Sequence, residues 1–306
     1  MTPEQINNFR IELGPASEIG LGAVLFIMMF AVALGLKPAN FKFFKDNPKD
    51  FPAGIIAQLI GLPFLTIALL YVMNPAPTFA LGMIIVACCP GGNVSNLLSL
   101  FGRANTALSV SLTATSSVAA AFFTPISILF WASQYGPTAK LLREIDFSIL
   151  GFLAQALIIL ALPLVLGMLI AKKWPDFAPK LQKPLAMIGG LGLIIITVVG
   201  TLKYWHVLMA IGAMIIPLVV IHNALALALG YGTGWLIKSD VRSRRTLTIE
   251  VGIQNSGLGL IILLTQLNGL GGAAIITAMW GIWHIISGGI VACLFRFSDR
   301  KNSNHV

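Results

Sequence analysis

Charged residues are scarce in this 306-residue chain, at 10% of positions against 57% hydrophobic ones. A soluble domain carries roughly a quarter charged residues. So little charge leaves too little polar surface to face water, which excludes an ordinary soluble protein and points to the bilayer as solvent. Cysteine is rarer still. Cys88, Cys89 and Cys293 form no CxxC pair, and Cys88 and Cys89 are chain neighbours. A disulfide framework and a thiolate metal site are therefore excluded, and the three read as packed apolar thiols. Residues 1–18 lack the basic start and apolar centre of a secretory signal. Ile6, Phe9 and Leu13 recur there at helical spacing and predict a short amphipathic helix lying on the membrane surface.

What the chain does have is a series of apolar runs, with mean hydropathy +0.88 overall. Nine are long enough to cross a bilayer core that needs about 20 residues. They lie near 19–36, 52–73, 78–100, 105–133, 147–171, 184–202, 207–237, 246–267 and 271–295. The expectation is an all-α polytopic membrane protein of about nine transmembrane helices.

The net charge of +9 arises from 20 Lys and Arg against 11 Asp and Glu. In a soluble protein that balance would suggest nucleic acid. Here the basic residues occupy the gaps between runs, so they read as topology signals and nucleic acid is not an expected partner. Lys37, Lys42, Lys45 and Lys49 follow the first run, and Arg103 follows the third. Lys172, Lys173, Lys180 and Lys183 follow the fifth, and Lys238, Arg242, Arg244 and Arg245 the seventh. Arg296, Arg300 and Lys301 lie in the tail, 296–306. The opposite side carries Arg10, Lys140, Arg143 and Lys203. This bias puts the N-terminus outside and the C-terminus in the cytoplasm. It fits a multi-pass protein of the cell inner (plasma) membrane, with lipids as neighbours and no obligate protein partner evident.

The acidic residues give a sharper signal. Ten of the 11 fall in gaps or tails or at the edges of runs, and Glu250 stands inside the eighth run. A carboxylate at membrane depth normally faces a cavity, an ion or a partner. Its surroundings, Glu250-Val251-Gly252-Ile253-Gln254-Asn255-Ser256-Gly257, are polar and glycine-punctuated. The third run holds a similar patch, Cys89-Pro90-Gly91-Gly92-Asn93-Val94-Ser95-Asn96. Proline removes a helical donor and clashes with the preceding turn, so this crossing should break at membrane depth. Backbone freed there must be buried in protein or line a cavity. Counted from both ends, the first four helices (19–146) correspond to the last four (184–295), with helix 5 and its loop (147–183) between them. The second set then runs inverted relative to the first. Paired interrupted helices in inverted halves point to a transporter site.

A sodium ion takes several oxygen ligands. Ser109 and Thr113 lie one turn apart on the fourth helix and so share a face, and Gln58 lies on the second. Ser111, Thr115 and Ser116 read as packing residues, common in membrane helices. His222 and His284 lie in the seventh and ninth runs without metal-ligand spacing.

These segments resemble the bile acid:sodium symporter family, in its bacterial branch. The resemblance runs from Gly35-Leu36-Lys37-Pro38 to Trp283–Gly288. It is most specific at Cys89-Pro90-Gly91-Gly92…Ser95-Asn96 and at Thr248 to Leu258. It implies a panel domain and a core domain whose two broken helices cross, with two sodium ions bound behind the crossing. The first sodium site would be Ser95, Asn96, Ser109, Thr113 and Glu250. The second would be Gln58, Glu250, Gln254 and the carbonyls of Val251 and Ile253. A small organic anion, bile-acid-like or a small carboxylate, would bind in the panel–core crevice near the half-helix ends. Asn93, Val94, Asn255, Ser256 and His284 are the candidate contacts. Asn93 stands where the family pattern leads us to expect Thr, and Ile285 where it leads us to expect Asn. The chain also starts one helix later than many bacterial members.

The leading reading is thus a sodium symporter of small organic anions working by alternating access, with two sodium ions per anion. A sodium/proton antiporter using Glu250 is the competing transport reading. An intramembrane enzyme finds no Ser/His/Asp set, His/Glu metal motif or paired acids at membrane depth.

Overall fold

The computed structural model describes residues 3–11, 14–36, 48–144, 148–267 and 269–303. Leu13, Lys37, Lys42 and Lys45, which carry part of the expectations above, lie outside them. Among the described residues the regular structure is helical, and the β pairing is limited to isolated bridges.

The elements are α1 (Pro3–Asn8), α2 (Pro15–Leu34), α3 (Asp50–Met73), α4 (Pro77–Cys88), α5 (Asn93–Phe101) and α6 (Thr106–Ser133). There follow α7 (Gly136–Glu144), α8 (Ile149–Lys173), α9 (Ala178–Lys203) and α10 (Trp205–Leu236). The last are α11 (Val241–Gly252), α12 (Ser256–Gln266) and α13 (Gly271–Ser303). Seven of them, α2, α3, α6, α8, α9, α10 and α13, are long and apolar enough to cross a membrane. The pairs α4/α5 and α11/α12 are the two broken crossings, at the third and eighth runs. On either side of α8 the order repeats as long helix, long helix, broken pair, long helix.

Local chemistry sets the boundaries. Pro15 and Pro77 sit in first turns, where the missing N–H has no helical partner to lose. Asn105, Ser148 and Asp240 cap α6, α8 and α11 by accepting backbone N–H groups. The residue before a proline is pushed out of helical geometry, and Cys89 is extended (φ −75°, ψ 156°) ahead of Pro90. Within α3 the stretch Ala57–Gly61 is π-helical, closed by the Leu62 N–H on the Ala57 carbonyl.

Helix α2 packs against α8 and α9, making a panel beside the remaining helices. The α9 face carrying Ile188, Leu191, Ile195 and Leu202 is exposed, as a lipid-facing surface requires. The core is built on α4, whose residues from Thr78 to Cys88 are all buried, together with α12 and the first turns of α13. The last turns of α13 are tied to α11 by Arg245, which donates to both oxygens of Asp299 at 2.5 and 3.0 Å.

Two features depart from the sequence-based expectations. The N-terminal helix ends at Asn8, and Ile6 is buried in the main core cluster rather than laid on lipid. The strand-like segment after it pairs with the loop before α13, through Ile11 N–H to Gly269 O (2.8 Å) and Gly271 N–H to Phe9 O (2.9 Å). The short amphipathic α7 had no counterpart among the apolar runs.

Candidate functional site at the helix crossing

Each break leaves backbone groups without helical partners, and each supplies the other's. Gly91 and Gln254 form an antiparallel bridge. Gly92 N–H donates to Ile253 O (3.1 Å), and Asn255 N–H donates to Pro90 O (2.8 Å). The freed carbonyls of α11 are met by three side-chain amides. Gln58 Nε2 donates to Glu250 O (3.3 Å), Gln254 Nε2 to Val251 O (2.9 Å) and Asn223 Nδ2 to Gly252 O (2.8 Å). On the other break, Gly91 N–H donates to Ser116 Oγ (3.3 Å). A buried unpaired backbone group costs about as much as a lost hydrogen bond, so this exchange is what lets two helices stop inside the molecule.

Behind the crossing lies the Glu250 carboxylate, 1% exposed. Ser95 Oγ is 2.6 Å from its Oε1, Thr113 Oγ1 is 2.9 Å from its Oε2, and Ser109 Oγ also donates to Oε1. Asn96 Oδ1 lies 2.9 Å from Ser109 Oγ and 3.5 Å from Thr113 Oγ1, and Ser95 Oγ is 3.3 Å from Thr113 Oγ1. The structure thus gathers Ser95, Asn96, Ser109, Thr113 and Glu250 into one cluster. Its six oxygens make six close approaches with three hydroxyl hydrogens between them, because each hydroxyl carries one. Such an oxygen-rich, hydrogen-poor pocket suits a cation.

Around the second break, Gln58 Nε2 reaches the Glu250 carbonyl and Gln254 Nε2 the Val251 carbonyl, while the Ile253 carbonyl accepts from Gly92 N–H. The Oε1 atoms of both glutamines are buried and have no hydrogen-bond partner. Buried amide oxygens seldom go unmet, and both belong to glutamines whose nitrogens hold this break. The π-helical segment of α3 carries Gln58, and such segments often mark functional positions. Gly91 is required by this closeness: a Cβ on it would lie 2.9 Å from Gln58 Nε2 and 3.1 Å from Glu250 Oε2. Among the described residues no group of three His, Cys, Asp or Glu forms a metal site, so these donor sets are amide, hydroxyl and carbonyl oxygen around a single carboxylate.

The five residues expected at the substrate are less uniformly placed. Asn93, first residue of α5, is exposed, and Val94 is half-buried against Leu98, Ile249 and Ile253. Asn255 is half-buried and caps α12 through Oδ1, accepting from Leu258 N–H at 3.1 Å, which leaves its amide N–H₂ to donate elsewhere. Ser256 is buried against Gly281. His284 is 4% exposed and turned onto Trp280, ring centroids 5.0 Å apart. It does not line the crevice between panel and core. That crevice is a cavity of about 530 Å³ between α2 and α9 on one side and α12 and α13 on the other, with Ala274, Ala278, Met279 and Ile282 as the α13 wall. At the crossing Leu193 of α9 lies directly on Gly257.

Two contributors escaped the sequence reading. Ser116, by sequence a packing hydroxyl, accepts from the first break. Asn223 lies in an apolar run, and its one signal was an amide beside His222 at membrane depth. Ser287 Oγ donates to Asn223 Oδ1 at 2.5 Å and so fixes which way that amide faces.

Residues 23–211 match the model of the Sodium Bile acid symporter family. The chain is 30% identical over 275 residues to YocS, an uncharacterized sodium-dependent transporter of Bacillus subtilis, covering 90% of this chain and 82% of that protein. It is 31% identical over 280 residues to a probable chloroplastic sodium/metabolite cotransporter, BASS1, of Arabidopsis thaliana, covering 90% and 67%. With the human ileal sodium/bile acid cotransporter the identity is 25% over 256 residues, covering 82% and 71%. Membrane-length helices, two crossed breaks and these matches converge: the chain belongs to the sodium bile acid symporter family, a family of sodium-dependent transporters and not of enzymes.

Proposed function

We propose that the protein carries a small organic anion, a small carboxylate or a bile-acid-like molecule, across the plasma membrane together with two sodium ions. The observation that carries this reading is the pair of buried, unpartnered amide oxygens of Gln58 and Gln254, whose nitrogens hold the end of α11 that carries Glu250. Sodium takes oxygen ligands, and unwound backbone at a break supplies them in transporters of this kind. The first ion is held by Ser95, Asn96, Ser109, Thr113 and Glu250. The second is held by Gln58, Gln254, Glu250 and the carbonyls of Val251 and Ile253.

The anion binds on the opposite side of the crossing. Half-helices α5 and α12 both start there, and helix starts offer unpaired N–H groups and partial positive charge to a carboxylate. Asn93 and Asn255 donate to the anion. Val94 and Ser256 shape that end, and His284 supports it from behind, packed on Trp280. Sodium bound behind the crossing neutralises Glu250 and fixes the break, which favours the anion in front. Panel and core then move about the occupied crossing, with the N-terminus outside and the C-terminus in the cytoplasm.

The test is sodium calorimetry and uptake in proteoliposomes. We expect wild-type uptake to be sigmoidal in sodium and accelerated by an inside-negative potential, since two sodium ions with one monovalent anion move net charge, worth roughly 2.3 kcal/mol per charge per 100 mV. Glu250→Ala should insert and fold but lose sodium-driven uptake. Sodium-driven proton release without any organic substrate would replace this reading with an antiporter.

A further inference from the structure

A second site lies at the end of the molecule that carries most of the basic residues. A cavity of about 580 Å³ is lined there by Leu100, Arg103, Thr106, Arg242, Arg245 and Asp299, among others. Its two walls are the turn between α5 and α6 and the first turn of α11. They are pinned together by Asn105 N–H on Arg242 O (3.1 Å), Asn105 Nδ2 on Ser243 Oγ (3.3 Å) and Thr246 Oγ1 on Asn105 O (2.9 Å). Arg103 and Arg242 are thereby held on either side of one notch.

The three arginines are not equivalent. Arg245 is buried and spent on Asp299, which it grips with both Nη atoms. Arg103 reaches the same carboxylate only at 3.7 Å, with its side chain 55% exposed. Arg242 is exposed and makes no ion pair with another described residue. Asp299 therefore answers two of the arginines, with its strong contact to Arg245, and the charge of Arg242 acts on the capping carboxylate of Asp240 without pairing with it.

The backbone adds a second, independent sign. Arg103 adopts φ +55°, the left-handed region. Glycine takes that region freely, whereas a residue with a Cβ is strained there. The tight turn that follows α5, with Gly102 N–H on Leu98 O (2.7 Å) and Ala104 N–H on Ser99 O (2.8 Å), would be met better by glycine at 103. A guanidinium carried on a left-handed backbone at the rim of a basic notch makes Arg103 a candidate for a role beyond the turn. Beside the notch α5 exposes Leu97, Leu100 and Phe101, with Arg296 over the Phe101 ring at 4.8 Å. A phosphate site beside the exposed apolar residues of α5 fits a phospholipid, with its headgroup in the notch and its chains along Leu97, Leu100 and Phe101.

We propose that this notch binds the phosphate of an anionic phospholipid through Arg103 and Arg242. The site is independent of the ion and substrate sites, and its position in the inner leaflet rests on the orientation proposed above. Bidentate guanidinium donation suits phosphate oxygens, and a basic residue near an anionic leaflet contributes roughly 1 kcal/mol.

The experiment uses the full chain in detergent, delipidated and then titrated with phosphatidylglycerol, phosphatidylcholine or inorganic phosphate. It is read by native mass spectrometry and by thermal unfolding. We expect one phosphatidylglycerol to be retained in preference to phosphatidylcholine. That affinity should fall about five-fold in Arg242→Gln, as loss of one such charge predicts. Arg103→Gly is the decisive variant: relief of the left-handed residue should raise the unfolding temperature of the lipid-free protein while phosphatidylglycerol retention falls. Lys180→Gln, at the same end but outside the notch, should retain the lipid. Equal retention of the two lipids, equal loss in Lys180→Gln, or full stabilisation by inorganic phosphate alone would each overturn the proposal. None of these readouts involves sodium or uptake, so they stand or fall apart from the transport reading.

Discussion

Gln58 donates from Nε2 to the main-chain carbonyl of Glu250 at 3.3 Å, across 192 positions of the chain, while its own Oε1 is buried and meets no donor. One amide thus holds a broken helix with its nitrogen and keeps an unmet oxygen in the interior. If the second sodium ion sits there, Gln58→Ala should reduce the Hill coefficient for sodium from about two toward one, since one of two coupled sites is lost. Uptake against sodium concentration measures this. A curve as steep as the wild type's would remove Gln58 from the ion site.

Gly91 tests how tightly that space is filled. Gly91→Ala drives a methyl against Gln58 Nε2 and Glu250 Oε2. Overpacking of this kind typically costs about 1–3 kcal/mol, and here it also distorts both proposed ion sites. We expect sodium to lose most of its ability to raise the unfolding temperature of Gly91→Ala. Gly212→Ala, where a Cβ meets nothing within 4 Å, should keep the full sodium response. Equal sodium stabilisation in the two variants would refute the assignment.

Asn223 holds the same break from the other side. Asn223→Ala leaves the buried Gly252 carbonyl without its donor, which costs about 1–3 kcal/mol. The unfolding temperature should drop, and Ser287→Ala should drop it less, because Ser287 only orients the amide. An Asn223→Ala protein as stable as the wild type would mean that the Gly252 carbonyl is satisfied by water.

Orientation can be read by impermeant thiol labelling in intact cells. Cys293 is exposed and Cys88 and Cys89 are buried, so the probes belong in a cysteine-free background. Gln134→Cys should label from outside and Asp176→Cys only after permeabilisation. The opposite pattern reverses the topology.

The helix count and the places of the two breaks were legible in the sequence because both depend on local chemistry. Apolar length dictates a crossing, and Pro90, Gly91 and Gly92 stop one. The ion-site residues emerged through resemblance, and Glu250 also through its isolation at membrane depth. What stayed hidden depends on the third dimension. An i→i−5 bond at Leu62 leaves no periodic trace, so the π-helical segment under Gln58 was invisible. Ser116 looks like any membrane-helix serine until Gly91 is placed beside it. His284 lies on a helix that borders the crevice, yet its ring packs inward on Trp280, and helical spacing alone does not decide which way a single ring turns in a helix that is apolar all round.

The mutual satisfaction of the two breaks also bears on biogenesis. When Pro90–Gly92 enters the membrane, the groups that will pair with it, at Ile253 and Asn255, have not been made. At typical synthesis rates the gap is on the order of ten seconds. Through that interval the first break must shelter its bare amide and carbonyl in water, in the insertion machinery or against a chaperone. The crossing therefore closes only after α11 and α12 arrive. A ribosome stalled before Gln254 should leave a nascent chain whose first half stays sensitive to protease at the break, and release of the stall should seal it.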